Sequence, residues 1–403
     1  MENYLAFIMG IALLAMIVDL LCSAYPNMQR QVYRFFFAAI YILFLIRYYY
    51  GPDIWTYVPH YEDIPTPLQL WNHPEEASYE WGYDMFCSLL HSLGLSYWGM
   101  TAVITTLYFA ALACLFHSLP RFRLFAFATV ILFDYNLIYA ENRQCLAVAL
   151  FIFMILCLQK RRYLFALLFA ATTVLIHKSG FIPVGLTLIG TLLYRQRGSA
   201  MMYNILILVL MAMMLVPVTR IATPLLSILP LPESYIESAA HHLQLGRQFQ
   251  TVALIYLAVL VWISIHNARH STKYGWIAIE VLIGVIIIVA VYQYYFLLNR
   301  LRSYFTPFIV WYLVFLATDG KRAREIPYMA LIRQSVAMLM IVYFANATYG
   351  YIRGAKQLHT PIARASTLFN LRHESPKQIR DRQMKLALRY WQEDYMKQND
   401  NKL

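Results

Sequence analysis

Polar and charged residues stand at the ends of several apolar runs of this sequence, where acid–base or phosphate chemistry could be done. RYYYGPDIWTY places Arg47 and Asp53 around a Gly-Pro turn, and NRQCLAVAL opens with Asn142 and Arg143. IHKSGFIP supplies His177 between two further apolar runs. Arginines bind phosphate oxygens through charge-assisted, bidentate hydrogen bonds, and a neighbouring carboxylate can accept a proton from an attacking hydroxyl. The pattern predicts a site for an anionic substrate.

Two more polar clusters occupy comparable positions. YEWGYDMF contains Glu80, and NRLRSYF contains Arg300, Arg302 and Tyr304. Arg300 and Tyr304 are four residues apart, so they lie on one face of a helix. The aromatic side chains between residues 51 and 97 have flat apolar faces with polar edges, which suit sugar rings. An arginine clamp, a carboxylate and an aromatic surface together favour a glycan carried on a lipid diphosphate.

Each of these residues also has a structural interpretation. The tyrosines at 48–50 fit an aromatic belt, and Arg47 fits a side chain that snorkels to the membrane interface. Asp53 and Glu80 could serve only to neutralise Arg47 and Arg143. A charge at membrane depth costs about 2.5–3.5 kcal/mol on insertion scales, so several such residues on one side favour a shared polar cavity.

The elements that must position these residues are membrane helices. The chain has 403 residues, of which 60% are hydrophobic and 13% charged, and its mean hydropathy is +0.52. Apolar runs of about 20 residues, enough to cross the hydrocarbon core, recur along it. The net charge of +12 lies in short loops and the C-terminal tail, which is typical of a membrane protein rather than a nucleic-acid binder. The scattered cysteines indicate neither a metal site nor a disulfide framework.

The predicted fold class is all-α, a polytopic transmembrane helical bundle with about ten to twelve membrane helices. A membrane domain would occupy residues 1–351, with a large extracytoplasmic loop at about 51–97, and a polar tail would follow at 352–403. Broken or re-entrant helices are expected around Gly180 and Pro183. The predicted spans are 4–22, 32–50, 98–118, 124–140, 142–158, 162–177, 180–194, 201–219, 249–267, 275–297, 303–317 and 328–350.

Orientation follows from the basic residues, which favour cytoplasmic loops. KRR at 160–162, RQR at 195–197 and KRAR at 321–324 mark cytoplasmic loops. The segment 48–120 contains no Lys or Arg, and its several acids all lie between Asp53 and Asp84. The loop at about 51–97 is therefore predicted to be outside. Twelve crossings would put the tail outside as well, whereas its basic residues favour the inside.

The order of these motifs resembles the EpsG family of polysaccharide-polymerising, Wzy-like membrane proteins. The matching pieces are GPDIWTY, YEWGYDMF, NRQCLAVAL, IHKSGFIP and NRLRSYF, which run in family order over about 47–305. The pair NRQxLA and IHKS is the most telling. The tail departs from the family pattern, because TPIARA stands where a Pro-Tyr element is expected.

The resemblance implies a GT-C-like, multi-pass enzyme of the bacterial inner membrane that works on the periplasmic face. Such enzymes join undecaprenyl-diphosphate-linked oligosaccharide repeats, with one lipid-linked chain as donor and a second as acceptor. The glycan would be capsule, exopolysaccharide or O-antigen. No cofactor, nucleotide sugar, nucleic acid or metal site is expected; arginines would do the work of a metal ion. A flippase and a chain-length regulator are the expected protein partners.

The site residues carry roles on this interpretation. Arg143, Arg300 and Arg47 would clamp the diphosphate, with help from His177 and Lys178. Asp53 is the first candidate base and Glu80 the second. The candidate catalytic residues are Asp53, Glu80, Arg143, His177 and Arg300. The candidate substrate-binding residues are Arg47, Lys178, Trp55, Tyr57, Trp81, Asn142, Gln144, Arg302 and Tyr304.

Two other functions stay open. A lipid-linked glycan flippase would need the same anion site and aromatic surface, but paired repeats or broken helices at the membrane midplane would be expected. A non-catalytic assembly partner would need only the acidic loop. The polar residues gather toward one surface, which favours an enzyme.

Overall fold

Every regular element that the structure describes is helical. The structure is a computed structural model that describes residues 4–47, 53–195, 275–291, 295–318 and 329–354, with isolated positions between 375 and 392. The α-helices, numbered along the chain, are α1 Tyr4–Leu21, α2 Pro26–Leu45, α3 Ile54–Glu62, α4 Pro67–Asn72, α5 Trp81–Ser92, α6 Tyr97–Phe116, α7 Arg123–Phe133, α8 Tyr135–Tyr139, α9 Asn142–Gln159, α10 Tyr163–Ile176, α11 Phe181–Arg195, α12 Gly275–Val291, α13 Tyr295–Thr318 and α14 Met329–Gly354.

Several of these helices can cross a membrane. Within the described residues, four helical segments are long and apolar enough: Tyr4–Ala24, Tyr97–Phe116, Asn142–Gln159 and Arg300–Thr318. Shorter apolar segments are Arg123–Phe133, Tyr163–Ile176, Trp276–Val285 and Ala337–Asn346. The prediction of a helical membrane protein is therefore confirmed. The predicted spans 201–219 and 249–267 lie outside the described residues.

Two predicted spans differ from the observed helices in an informative way. The span predicted at 32–50 is α2, which starts at Pro26 and ends at Leu45. Proline is well suited to the first helical turn because its missing N–H has no partner there anyway. The span predicted at 124–140 is divided into α7 and the short α8, and Asn142 then starts α9. Because the helix is interrupted here, Asn142 and Arg143 lie at the start of a new helix, where polar residues are tolerated better than in the middle of a span.

The chain forms two compact units. The first contains residues 1–150, 175–177 and 313–403. In it α1 packs against α2, α7 and α14, and Asp19, which is 1% exposed, links three of these helices. Its Oδ2 accepts the backbone N–H of Phe125 at 2.8 Å, and its Oδ1 accepts from Gln29 at 3.0 Å. A carboxylate held by these donors can remain inside an apolar bundle.

Residues 53–96, between α2 and α6, belong to the first unit and form a folded layer of short helices. Thr66 forms a capping box with Gln69 at the start of α4. Tyr61 donates its hydroxyl hydrogen to the carbonyl of Leu95 at 2.9 Å, and Ser88 donates to the carbonyl of Pro65. These bonds link α3 to the end of α5, and α5 to the start of α4.

The second unit contains residues 151–174 and 178–312. In it α11 packs against α12. A Cβ added at Gly284 would lie 2.5 Å from Cβ of Phe305, so α12 and α13 approach closely at this glycine. Thr187 and the fully buried Glu280 are joined across α11 and α12 by a 3.1 Å hydrogen bond.

The tail contacts the short-helix layer at one described position. Arg380 donates from both terminal nitrogens to the carboxylate of Glu62, at 3.4 and 3.0 Å. The ion pair is 40% and 48% exposed at its two side chains, so it contributes little energy. It does place this part of the tail on the same side of the protein as the layer.

Candidate active site

Glu80 joins two of the predicted site residues into one cluster. Its Oε2 accepts a hydrogen bond from Nη1 of Arg143 at 2.7 Å, and its Oε1 lies 3.0 Å from Nδ1 of His177. The Glu80 side chain is 10% exposed and that of His177 is 8% exposed. We call Glu80, Arg143 and His177 the ion cluster. Arg143 and His177 are 63 and 97 positions from Glu80 in the sequence. The three side chains nevertheless meet where the membrane helices end.

Local structure explains why these three side chains meet. Glu80 immediately precedes α5, Arg143 is in the first turn of α9, and His177 follows the last residue of α10. Gly82 allows α5 to approach α10 closely, because a Cβ there would lie 2.7 Å from the carbonyl oxygen of Leu175. A larger residue at this position would separate Glu80 from His177.

Arg143 is further held by two tyrosines. Its Nε donates to the hydroxyl of Tyr57 at 2.8 Å. Its guanidinium carbon lies 4.3 Å from the ring centroid of Tyr79 and 5.6 Å from that of Tyr57. A cation in the first turn of a helix opposes the helix dipole. Glu80 and the two rings compensate for this, so the structure keeps Arg143 at a position that helix electrostatics alone disfavour.

A second carboxylate positions Tyr79. Asp84 is 1% exposed; its Oδ2 accepts the backbone N–H of Tyr79 at 3.0 Å, and its Oδ1 lies 2.9 Å from Nε2 of His60. His60 and Asp84 were not predicted as site residues, and Tyr79 was predicted only as one of the aromatic side chains between residues 51 and 97. The sequence YEWGYD could have suggested the contact of Asp84 with the Tyr79 backbone. Asp84 is the fourth residue of α5, and a carboxylate in the first turn of a helix can accept a hydrogen bond from a backbone N–H just before the helix.

The cluster changes the acidity of its members. Burial by itself raises the pKa of the Glu80 carboxyl, but the hydrogen bond from His177 and the charge of Arg143 outweigh burial and hold that pKa well below its usual range. Burial raises the pKa of the Tyr57 hydroxyl above its usual range despite the nearby Arg143. Glu80 is therefore ionised at neutral pH, and Tyr57 keeps its proton.

A second group of predicted residues surrounds a small pocket. Arg47, Asp53 and Asn142 line it together with Tyr97 and neighbouring backbone. Arg47 is 4% exposed, and its Nη1 donates to the carbonyl of Phe44 at 2.9 Å and to Thr105 at 3.1 Å. We call this the Arg47 pocket.

The Arg47 pocket differs from the ion cluster in its charge balance. No carboxylate of the described residues lies within 4.0 Å of the Arg47 guanidinium, whereas Arg143 is paired with Glu80. Asn142, 4% exposed, donates from its amide nitrogen to the hydroxyl of Tyr97 at 2.9 Å, and its Oδ1 has no hydrogen-bond partner. The Arg47 guanidinium and the Asn142 side-chain oxygen could therefore still bind a ligand in this pocket.

The remaining predicted cations lie in the second unit. Lys178 begins a short 3-10 helix, Lys178–Gly180. Arg300 and Arg302 are partly buried in α13, with Tyr304 fully buried one turn after Arg300. The Tyr304 hydroxyl lies 3.3 Å from Oγ of Ser179. Their predicted part in the site stays a prediction.

The predicted aromatic residues have different exposures. Trp55 is 40% exposed and Trp71 is 68% exposed, so their faces are available to a ligand. Trp81 donates from its indole nitrogen to the carbonyl of Leu70 at 2.9 Å, which fixes it within the layer. Gln144 is buried in α9. Among the described residues, no three His, Cys, Asp or Glu side chains are grouped to hold a metal ion.

The apolar helices indicate a membrane protein with several helices long enough to cross the bilayer. The chain belongs to the EpsG family, whose model matches residues 32–353, which is most of the chain. EpsG is a Wzy-like polymerase family, so membership indicates a polysaccharide-polymerase role and a glycosyltransferase type of enzyme. No curated protein and no solved structure gives a significant match.

Proposed function

We propose that this protein is a polysaccharide polymerase that joins undecaprenyl-diphosphate-linked oligosaccharide repeats on the extracytoplasmic face of the bacterial inner membrane. Its products would be capsule, exopolysaccharide or O-antigen, and its fold would be GT-C-like with ten to twelve spans. Donor and acceptor are both lipid-linked, and neither a metal ion nor a cofactor takes part. A flippase would deliver the repeats, and a chain-length regulator would set the product size.

The observation that supports this proposal best is that, among the described residues, no carboxylate is paired with the buried guanidinium of Arg47. A buried guanidinium is costly unless an anion and hydrogen bonds compensate for it. Arg143 has that compensation from Glu80, whereas Asp53, which lines the same pocket as Arg47, forms no ion pair with it among the described residues. A diphosphate would supply the negative charge and accept from the guanidinium in its bidentate geometry.

The start of α9 strengthens this assignment. The N-terminus of a helix attracts phosphate through its free N–H groups and its dipole. Asn142, the first residue of this 18-residue helix, lines the Arg47 pocket. Its amide can be turned so that the NH2 group faces a ligand while its oxygen accepts from Tyr97. One phosphate oxygen of the donor would therefore lie between Arg47 and the start of α9.

The proposed roles of the other residues follow from this placement. Arg143, which is 23% exposed at its side chain, retains donors beyond those used by Glu80 and Tyr57 and would contact the second phosphate. Arg300 would complete the clamp, as the sequence predicts. Trp55 and Trp71 would hold sugar rings. Glu80 is a weak proton acceptor, because its bonds to Arg143 and His177 stabilise the ionised form.

Binding of the donor to purified protein tests the proposal. Arg47→Ala should weaken the binding of a fluorescent lipid-diphosphate oligosaccharide about tenfold or more, because one charged hydrogen bond contributes about 1.5–3 kcal/mol. Arg47→Lys should restore only part of it. Arg30→Ala in α2, the helix that ends two residues before Arg47, changes an exposed arginine; it is the matched control and should bind normally. Unchanged binding by Arg47→Ala would remove Arg47 from the site.

A further inference from the structure

His177 is held in one defined orientation by the ion cluster. Its Nδ1 lies 3.0 Å from Oε1 of Glu80, whose other oxygen is bonded to Arg143. An ionised carboxylate can only accept hydrogen bonds. Nδ1 of His177 must therefore carry the hydrogen of this bond, and in the neutral ring Nε2 then carries the lone pair.

This arrangement is suited to proton transfer. When Nε2 takes a proton the ring becomes a cation, and the Glu80 carboxylate already bonded to Nδ1 stabilises that charge. Arg143 keeps the carboxylate ionised, so the proton stays on the ring instead of passing to Glu80. A carboxylate that orients and stabilises a histidine in this way is a recurring arrangement in acyl-transfer enzymes, and it arises on unrelated folds.

We propose that His177 Nε2 is the general base that deprotonates the acceptor sugar, and that Glu80 is its positioning residue. This inference rests on the proposed polymerase function. An acceptor hydroxyl oxygen attacks the anomeric carbon of the donor and forms the new glycosidic bond. The bond from that carbon to the diphosphate oxygen breaks, and its electron pair leaves with the lipid diphosphate. The hydroxyl proton moves to Nε2 and is later released to water.

The two carboxylates that the sequence favours are less suitable for this step. Glu80 is committed to Arg143 and His177. Asp53 lines the Arg47 pocket, where the leaving diphosphate would bind. Consecutive helical residues project about 100° apart, so at the start of α9 Asn142 lines the Arg47 pocket while Arg143 reaches the ion cluster. On this proposal the acceptor would bind beside His177 and the leaving group in the Arg47 pocket.

Chemical rescue distinguishes a base from a structural histidine. Purified wild-type protein in lipid vesicles is given the lipid-diphosphate oligosaccharide, and the turnover number is measured with and without imidazole. His177→Ala should lower the turnover number about 10²–10⁴-fold, the usual contribution of a general base. Donor binding should change by less than about threefold. Added imidazole should restore turnover to His177→Ala and leave wild type unchanged.

Further variants make the result decisive. Glu80→Gln should also reduce turnover, because an amide can turn its NH2 toward Nδ1 and favour the wrong tautomer, and imidazole should not rescue it. His73→Ala, at a side chain that is 59% exposed and outside the site, should retain most of the wild-type rate. The inference is overturned by a His177→Ala rate within tenfold of wild type, or by a folded, donor-binding His177→Ala that imidazole does not rescue. An inactive wild-type protein would instead contradict the proposed function itself.

Discussion

Removal of Glu80 should destabilise the protein far more than removal of a surface glutamate. Glu80→Ala leaves the Arg143 guanidinium without its carboxylate and the Nδ1 hydrogen of His177 without its acceptor. The Glu80 side chain makes no capping hydrogen bond to α5, so lost helix capping does not contribute. The effect therefore measures the ion cluster.

The magnitude follows from the burial of the pair. Removing one partner of a buried ion pair costs about 3–5 kcal/mol. Arg143 is 23% exposed, so water reaches part of it, and we expect a loss of about 2–4 kcal/mol. Arg143→Ala should cost less, because His177 remains as a partner for the Glu80 carboxylate. The double variant should recover part of the loss, with a coupling free energy of about 1–3 kcal/mol.

Glu62→Ala is the matched control. Glu62 also pairs with an arginine, Arg380, but both side chains are 40% or more exposed. Its removal should cost less than about 1 kcal/mol. The assay is the free energy of unfolding in detergent, followed by the loss of helical circular dichroism as SDS is added. Two results would refute the reasoning. One is an equal loss of unfolding free energy for Glu80→Ala and Glu62→Ala. The other is a double variant at Glu80 and Arg143 whose loss equals the sum of the two single losses.

Three further predictions address the site and its orientation. Arg143→Ala should abolish polymer at normal protein abundance, and Arg143→Lys should restore little because lysine lacks the planar fork; full activity of Arg143→Ala on a glycan gel would contradict this. Gly82→Ala should lower the unfolding temperature and activity, because its Cβ would meet backbone of α10, whereas Gly185→Ala has open space and should be neutral. Cysteines at Asn72 and Lys377 should both react with an impermeant maleimide in intact spheroplasts, because the tail contacts the short-helix layer; labelling of only one would disprove a shared side.

The sequence alone was enough to predict Arg143, Glu80 and His177 as candidate site residues. Polar residues at the ends of apolar runs must be solvated or paired, so a pattern of such ends on one side of the membrane predicts that some of them meet. The pairing of Glu80 with Arg143 was one of the alternatives that the sequence offered. The contact of Glu80 with His177 could not be predicted, because the close approach at Gly82 depends on tertiary packing. The expectation that Asp53 would be the base came from its position beside Arg47 in sequence.

Other features needed the structure. The pairing of Asp84 with His60 depends on how α3 packs against α5, which no periodicity encodes. Asp19 and Glu280 are single acids inside apolar runs, and that isolation was a visible signal of a buried, hydrogen-bonded carboxyl. Their partners, Phe125 and Thr187, lie on helices distant in sequence.

The surface glycan of a strain that lacks this gene tests the central claim most directly. A polymerase joins repeats that other proteins have already made and exported, so its loss should leave a single repeat in place of the ladder on a gel. Wild-type gene on a plasmid should restore the ladder, and the Arg47→Ala gene should not. Loss of all surface glycan would instead favour a flippase, and an unchanged ladder would contradict the account.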